Sequence, residues 1–146
     1  MRTLVTLVLV CAFMPAVADA EKAPMSKEAL TKVATHVVTG KVKAVYAREK
    51  VEGRWRVQRY VAEVEVASVE KGDGLEKGGL VYVRYWTRDW AGRGPQPPST
   101  SGHVGLPKEG AKMRIYLARN AYDGFGETDD GGFNVIGGNG FEPLDG

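Results

Sequence analysis

Residues 36–46 read His36-Val37-Val38-Thr39-Gly40-Lys41-Val42-Lys43-Ala44-Val45-Tyr46, and their alternation decides the fold class. Successive side chains of a strand point to opposite faces, so Val38, Gly40, Val42, Ala44 and Tyr46 fall on one face and Thr39, Lys41 and Lys43 on the other. The β-branched and aromatic content agrees with a strand that has one wet side. Gly40 within such a strand marks a bulge or sharp coil, the device by which small barrels turn corners.

Working outward, the same period continues. A hairpin around Glu52-Gly53 leads to a long second strand, about Trp55 to Glu70, with Tyr60, Ala62, Val64 and Val66 opposite Val61, Glu63, Glu65 and Ala67. A strand that long is expected to bend. After the turn-rich link 71–79, Leu80 to Thr87 sets Val81, Val83 and Tyr85 against Tyr82, Arg84 and Trp86. Lys112 to Arg119 alternates through Met113, Ile115 and Leu117, and a last strand covers about Phe133 to Ile136, extending toward Phe141. Upstream, Ser26 as N-cap, Glu28 in the first turn and Leu30, Val33 and Ala34 at helical spacing predict a short helix over 26–34. These elements predict a mainly β protein: a small five-stranded antiparallel Greek-key barrel of OB type with a short N-terminal helix. An open β-sandwich is the alternative.

At the start of the chain, Arg2, the apolar run Leu4 to Phe13 and Ala18-Asp19-Ala20 have the anatomy of an export signal, with cleavage expected between Ala20 and Glu21. Thr6 and Pro15 interrupt a segment shorter than the ~20 apolar residues a membrane span needs. The expected organisation is a signal peptide over 1–20, an N-terminal segment with the helix over 21–35 and one β domain over 36–146. The protein is therefore read as exported, to a periplasm, envelope or the medium, with no transmembrane anchor in its mature chain. The lone cysteine, Cys11, falls inside the signal. Disulfides, Cys-ligated zinc, iron–sulfur clusters and a catalytic thiol are then excluded from the mature protein.

Val38-Thr39-Gly40-Lys41-Val42, Val64-Glu65-Val66 with Val69-Glu70-Lys71-Gly72-Asp73-Gly74, Val83-Arg84-Tyr85-Trp86, Arg114-Ile115-Tyr116-Leu117, and Asp130-Gly131-Gly132-Phe133 with Asn139-Gly140-Phe141-Glu142 carry a resemblance. In this order they resemble short exported bacterial proteins of unknown function whose fold is OB-like, similar to netrin-like modules. The resemblance implies a fold and no activity. Netrin-like inhibitors of metalloproteinases present an N-terminal cysteine to zinc, and a chain beginning at Glu21 has none.

Chemistry-bearing residues concentrate in two places. The connection from Arg88 to Gly110 is longer than the ~12–15 residues usual for an unstructured loop, and such loops are functional or disordered. Trp86, Arg88, Trp90, Arg93 and His103 mark it as a candidate binding surface, with a proline-stiffened lid whose tryptophans pack as core as the favoured plain reading. Ser99 or Ser101 with His103 and Asp89 contains the residue types of an acyl-transfer triad but none of its motif spacing. The first hairpin interleaves Lys41, Lys43, Arg48, Lys50, Arg54, Arg56 and Arg59 with Tyr46, Trp55 and Tyr60. Charge is segregated: residues 21–119 carry 19 Lys/Arg and 11 Asp/Glu, and residues 120–146 carry no Lys/Arg and six Asp/Glu, giving +8 and −6.

In a cytosolic protein the basic-aromatic hairpin would read as a single-strand nucleic-acid surface. Export disfavours nucleic acid; an acidic polysaccharide or an envelope protein suits the same charges better, and a solvated strand face is the favoured plain reading. The weakly marked ligand-binding set is thus Trp55, Arg56, Tyr60, Trp86, Arg88, Trp90, Arg93 and His103. No cofactor is expected. His36 and His103 are the only histidines, which excludes a His-rich metal site, and the acidic turn Asp123 to Gly132 does not match an EF-hand loop. The sequence predicts a non-enzymatic exported binding or assembly module of the cell envelope. A hydrolase using the 88–110 loop and a purely structural domain are the alternatives.

Overall fold

The computed structural model describes residues 23–99, 101–119 and 132–145. The expected signal segment with Cys11 and the Ala20–Glu21 junction, Thr100, and the acidic stretch up to Gly131 lie outside the described residues. The order of elements is α1 (Lys27–Val33), β1 (His36–Glu52), β2 (Trp55–Lys71), β3 (Leu80–Trp90), β4 (Lys112–Arg119), β5 (Phe133–Val135) and β6 (Phe141–Pro143). Among the described residues no helix is long and apolar enough to cross a membrane.

The strands form one mixed sheet in the order β1-β2-β3-β5-β4-β6, and an added β1–β4 pairing closes five of them into a ring. Every pair is antiparallel except β3–β5, where Val83 and Arg84 run parallel to Phe133 and Asn134. This corrects the all-antiparallel expectation, and the correction is geometric. Directions cannot alternate all the way round an odd-numbered ring, so at least one neighbouring pair must be parallel. There is one sheet, not the two faces of a sandwich.

The expected single last strand divides. β5 and β6 both pair with the same edge of β4, Leu117 with Val135 and Ile115 with Phe141, and the chain between them loops out opposite Tyr116. Gly140 is needed there because a Cβ would meet the Ile136 carbonyl oxygen at 2.2 Å. That close approach breaks the strand and makes six where five were expected.

Three register shifts coil the β1–β2 ladder, between Val37 and Val38, Thr39 and Gly40, and Val42 and Ala44. The second is the bulge expected at Gly40, and together they bend the long β2. The third inserts Lys43 and reverses the alternation beyond it. Val45 therefore packs against the core and Tyr46, expected to face it, is 58% exposed. β1 and β3 also run farther than expected, to Glu52 and Trp90, so the three strands β1, β2 and β3 project beyond the core as an exposed ribbon.

Inside the ring Val38, Val42, Ala62, Val64, Val83, Tyr85, Ile115 and Leu117 are all but sealed from water. The helix closes a second cluster, in which Leu30 and Ala34 lie on Val37, Tyr116, Ala118 and Ile136. Ser26 caps α1 by accepting from the Ala29 amide at 3.1 Å. Asn139 then ties its entrance down, accepting from Met25 N at 3.0 Å and donating to Met25 O at 2.9 Å.

Candidate functional site

Trp55 stands opposite Trp90, Val57 opposite Arg88 and Arg59 opposite Trp86 in the β2–β3 ladder. Directly opposed residues of an antiparallel pair share a face, so three tryptophans and two arginines rise from one side of the projecting ribbon. The same parity leads down to exposed Tyr82, which identifies this as the outer face. Tyr60 and Arg56 fall on the other side, continuous with core residues Ala62 and Val64. The predicted set is thus divided by the sheet.

On the outer face the side chains form a ladder. The Trp55 and Trp90 rings meet edge to face, with centroids 5.1 Å apart at 64°. The Arg88 guanidinium carbon lies 4.4 Å from the Trp55 ring centroid and 5.7 Å from that of Trp86. A cation over an indole face is attracted by the ring quadrupole, the more so where water is partly displaced. Val57 beneath is buried, although it faces outward on an exposed ribbon. Arg88 also donates through Nη2 to Ser99 Oγ.

Neighbouring contacts hold the ladder in place. The Trp90 indole N–H donates to Gly94 O at 3.2 Å, and the chain turns so tightly under the ring that a Cβ on Gly92 would come within 2.3 Å of it. Arg59 makes a two-armed contact with Glu52, at 2.7 and 3.3 Å, and its guanidinium holds the Glu52 carboxyl below the usual carboxylate range. The Trp86 Nε1–H is shielded from water with no acceptor among the described residues. Buried donors are ordinarily paired, so this one is an exception, sealed from an incoming ligand as it is from water.

The remaining predicted residues lie elsewhere. Tyr60 stacks on buried Tyr85, 4.9 Å away at 9°, and burial pushes the Tyr85 phenol well above its ordinary value. Arg56 lies 3.6 Å from Glu49. Arg93 is exposed in the loop that follows β3. His103 is 5% exposed and turns edge-on to Tyr85, Trp86 and Phe141. Its Nε2 donates to Val135 O at 2.9 Å, and its Nδ1 lies 3.2 Å from the Trp86 amide nitrogen and 3.1 Å from the Trp86 carbonyl oxygen.

The far end of the long loop is docked beside His103. Gly102 bridges to Thr87, His103 N donates to Trp86 O, Arg88 N to Ser101 O and Val104 N to Gly138 O. The loop therefore continues the sheet at the edge of β3. Trp86 and Trp90, expected as core beneath a lid, are half-buried on the outer face instead. For the acyl-transfer reading, the geometry sets Ser99 on Arg88, His103 on backbone groups, and Asp89 on the face away from the ladder. Among the described residues no group of three or more His, Cys, Asp or Glu side chains could hold a metal ion.

The cross-strand order of the ladder was missed because the third strand was expected to stop at Thr87. The signal was present, since Trp86, Arg88 and Trp90 keep period two. No protein-family model, curated protein or solved structure matches this chain.

Proposed function

We propose that this protein is an exported, non-enzymatic binding module of the cell envelope, and that the Trp55-Trp86-Arg88-Trp90 ladder is its contact surface for an acidic polysaccharide. The observation that carries the reading is the Arg88 guanidinium held on the Trp55 ring, on the outer face of a ribbon that projects from the core. Indole faces suit the apolar faces of sugar rings, and a guanidinium stacked on them fixes a positive charge beside the ring they bind.

For the scaffold, we read the five-strand ring as a small Greek-key barrel of OB type. Its order, β1-β2-β3-β5-β4 and back to β1, and its parallel β3–β5 pair support that reading, as does the netrin-like resemblance of the strand motifs. The ladder then occupies the part of β2 and β3 that rises beyond the barrel mouth.

The test is a titration with polygalacturonate followed by tryptophan fluorescence, at low and at high ionic strength. Saturable binding that weakens as salt rises is expected. Arg88→Ala should abolish it, and Arg88→Lys should recover only part, because an ammonium keeps the charge without the planar stack. Binding indifferent to salt, or unchanged in Arg88→Ala, overturns the proposal.

A further inference from the structure

The second surface is an edge, not a face. β4 pairs with β1 only from His36 to Lys41, and the last backbone bonds on that side join Val42 to Ala111 and Gly110. From Lys43 to Glu52, β1 is paired with β2 and with no other strand among the described residues. At ~3.3 Å per residue that is about 33 Å of open edge. An open edge is a row of unpaired N–H and C=O groups, a template for an incoming strand, and charged side chains decide what is admitted.

The charges on this edge are unequally used. Its two carboxylates are held from β2: Glu49 by Gln58 at 3.1 Å and Arg56 at 3.6 Å, Glu52 by Arg59 at 2.7 Å. Arg48 has no ion pair among the described residues, and Lys50 lies 4.0 Å from a Glu52 oxygen that Arg59 already binds. Arg48 stands opposite Arg59 and Lys50 opposite Val57, so both cations are on the outer face. Ala47, Glu49 and Val51 have the opposite parity, with Val51 62% exposed. The edge thus offers two cations two residues apart on one side, Arg48 without an ion pair among the described residues and Lys50 at the limit of one, and on the other side Ala47 and Val51 flanking a Glu49 already engaged from β2.

We propose that residues 43–52 accept an extended segment of a partner protein by β-strand addition, and that this segment carries two carboxylates two residues apart with β-branched residues between and beside them. The incoming carboxylates lie level with Arg48 and Lys50, the residue between them with the engaged Glu49, and the flanking apolar residues with Ala47 and Val51. Main-chain bonds hold the segment and the alternating side chains select it. The edge lies one strand away from the tryptophan ladder, and the proposal stands whether or not the ladder binds glycan.

The test uses a blocked, fluorescein-labelled peptide, Thr-Val-Glu-Val-Glu-Val-Thr, titrated by anisotropy. Two controls accompany it: the same composition with adjacent glutamates, and a version with both glutamates replaced by lysine. Amide exchange is followed by NMR. The alternating acidic peptide should bind at least tenfold more tightly than either control and slow exchange at alternate residues from 43 to 52. Arg48→Glu with Lys50→Glu should switch the preference to the lysine peptide, a reversal that a misfolded variant would not produce. Equal binding of the three peptides, protection elsewhere in the chain, an unaltered preference in the double variant, or pairing of two copies through this edge in place of the peptide overturns the proposal.

Discussion

Gly40→Ala probes the closure of the ring directly. Gly40 pairs with Val66 of β2 on one side and Met113 of β4 on the other, so it lies where β1 is held by both of its ring neighbours. A Cβ there would stand 2.6 Å from Glu65 O and 2.6 Å from Val64 Cγ1. Carbon contacts are comfortable only near ~3.5 Å, so something must move by about 1 Å. The carbonyl belongs to the ladder and Val64 is fully buried, so neither can swing aside cheaply.

Overpacking of this kind costs ~1–3 kcal/mol, and the rigidity of both neighbours argues for the upper part of that range. Alanine recovers ~0.5–1 kcal/mol that glycine forfeits in a strand, which leaves a net loss of about 1–2.5 kcal/mol. For a domain of this size 1 kcal/mol lowers Tm by roughly 3–6 °C, so Gly40→Ala should melt about 3–15 °C below the parent. Far-UV circular dichroism is a sufficient assay, with Gly138→Ala as control. At Gly138 the nearest atom is Gly102 O at 3.5 Å, which is ordinary contact, and Tm should scarcely change. An unchanged Tm for Gly40→Ala, or an equal drop for the control, would refute the reasoning.

Other perturbations address the docked loop, the ladder and the helix. His103→Ala should cost roughly 2–4 kcal/mol, because it strands the Val135 carbonyl and Trp86 amide and opens a hole beside Tyr85 and Phe141; a melting curve superimposable on the parent's would count against that role. Gly92→Ala should push the Trp90 ring off Trp55 and remove near-UV dichroism from the pair while leaving Tm nearly intact, since the turn is at the surface. The Glu142 carboxyl is held below its ordinary value, first by the hydrogen bond from Lys27 and then by Arg114, so its contribution is present above the unfolded pKa and is lost as pH falls through the folded one. Protection of the α1 amides should therefore decline from about pH 5 to pH 3 and Glu142→Gln should remove that step, an effect below ~1 kcal/mol for so accessible a group.

What could be read from sequence divides along the range of the forces involved. β4 was legible because Met113, Ile115 and Leu117 alternate cleanly, and α1 because Ser26 supplies a local cap. The tip of β1 was not. Residues 47–52, Ala-Arg-Glu-Lys-Val-Glu, have the charge of a loop, and they are held extended by partners across the hairpin: Glu49 by Arg56 and Gln58, Glu52 by Arg59. The insertion at Lys43 has no local signature either, yet it alone exchanges Val45 for Tyr46 at the core. Directions follow a stricter logic. β1 is antiparallel to β2 and β2 to β3, so β4, antiparallel to β1, opposes β3, and β5, antiparallel to β4, must run with β3. The site obeys the same division. Its tryptophans were evident one by one, but Trp55 meets Trp90 only because the ladder that starts at Glu65 and Leu80 keeps register without a bulge to the tip. The glycine-rich connection 72–79 sets that register. A one-residue slip there would turn Trp86, Arg88 and Trp90 to the Tyr60 side and dissolve the ladder, although every residue in it remained.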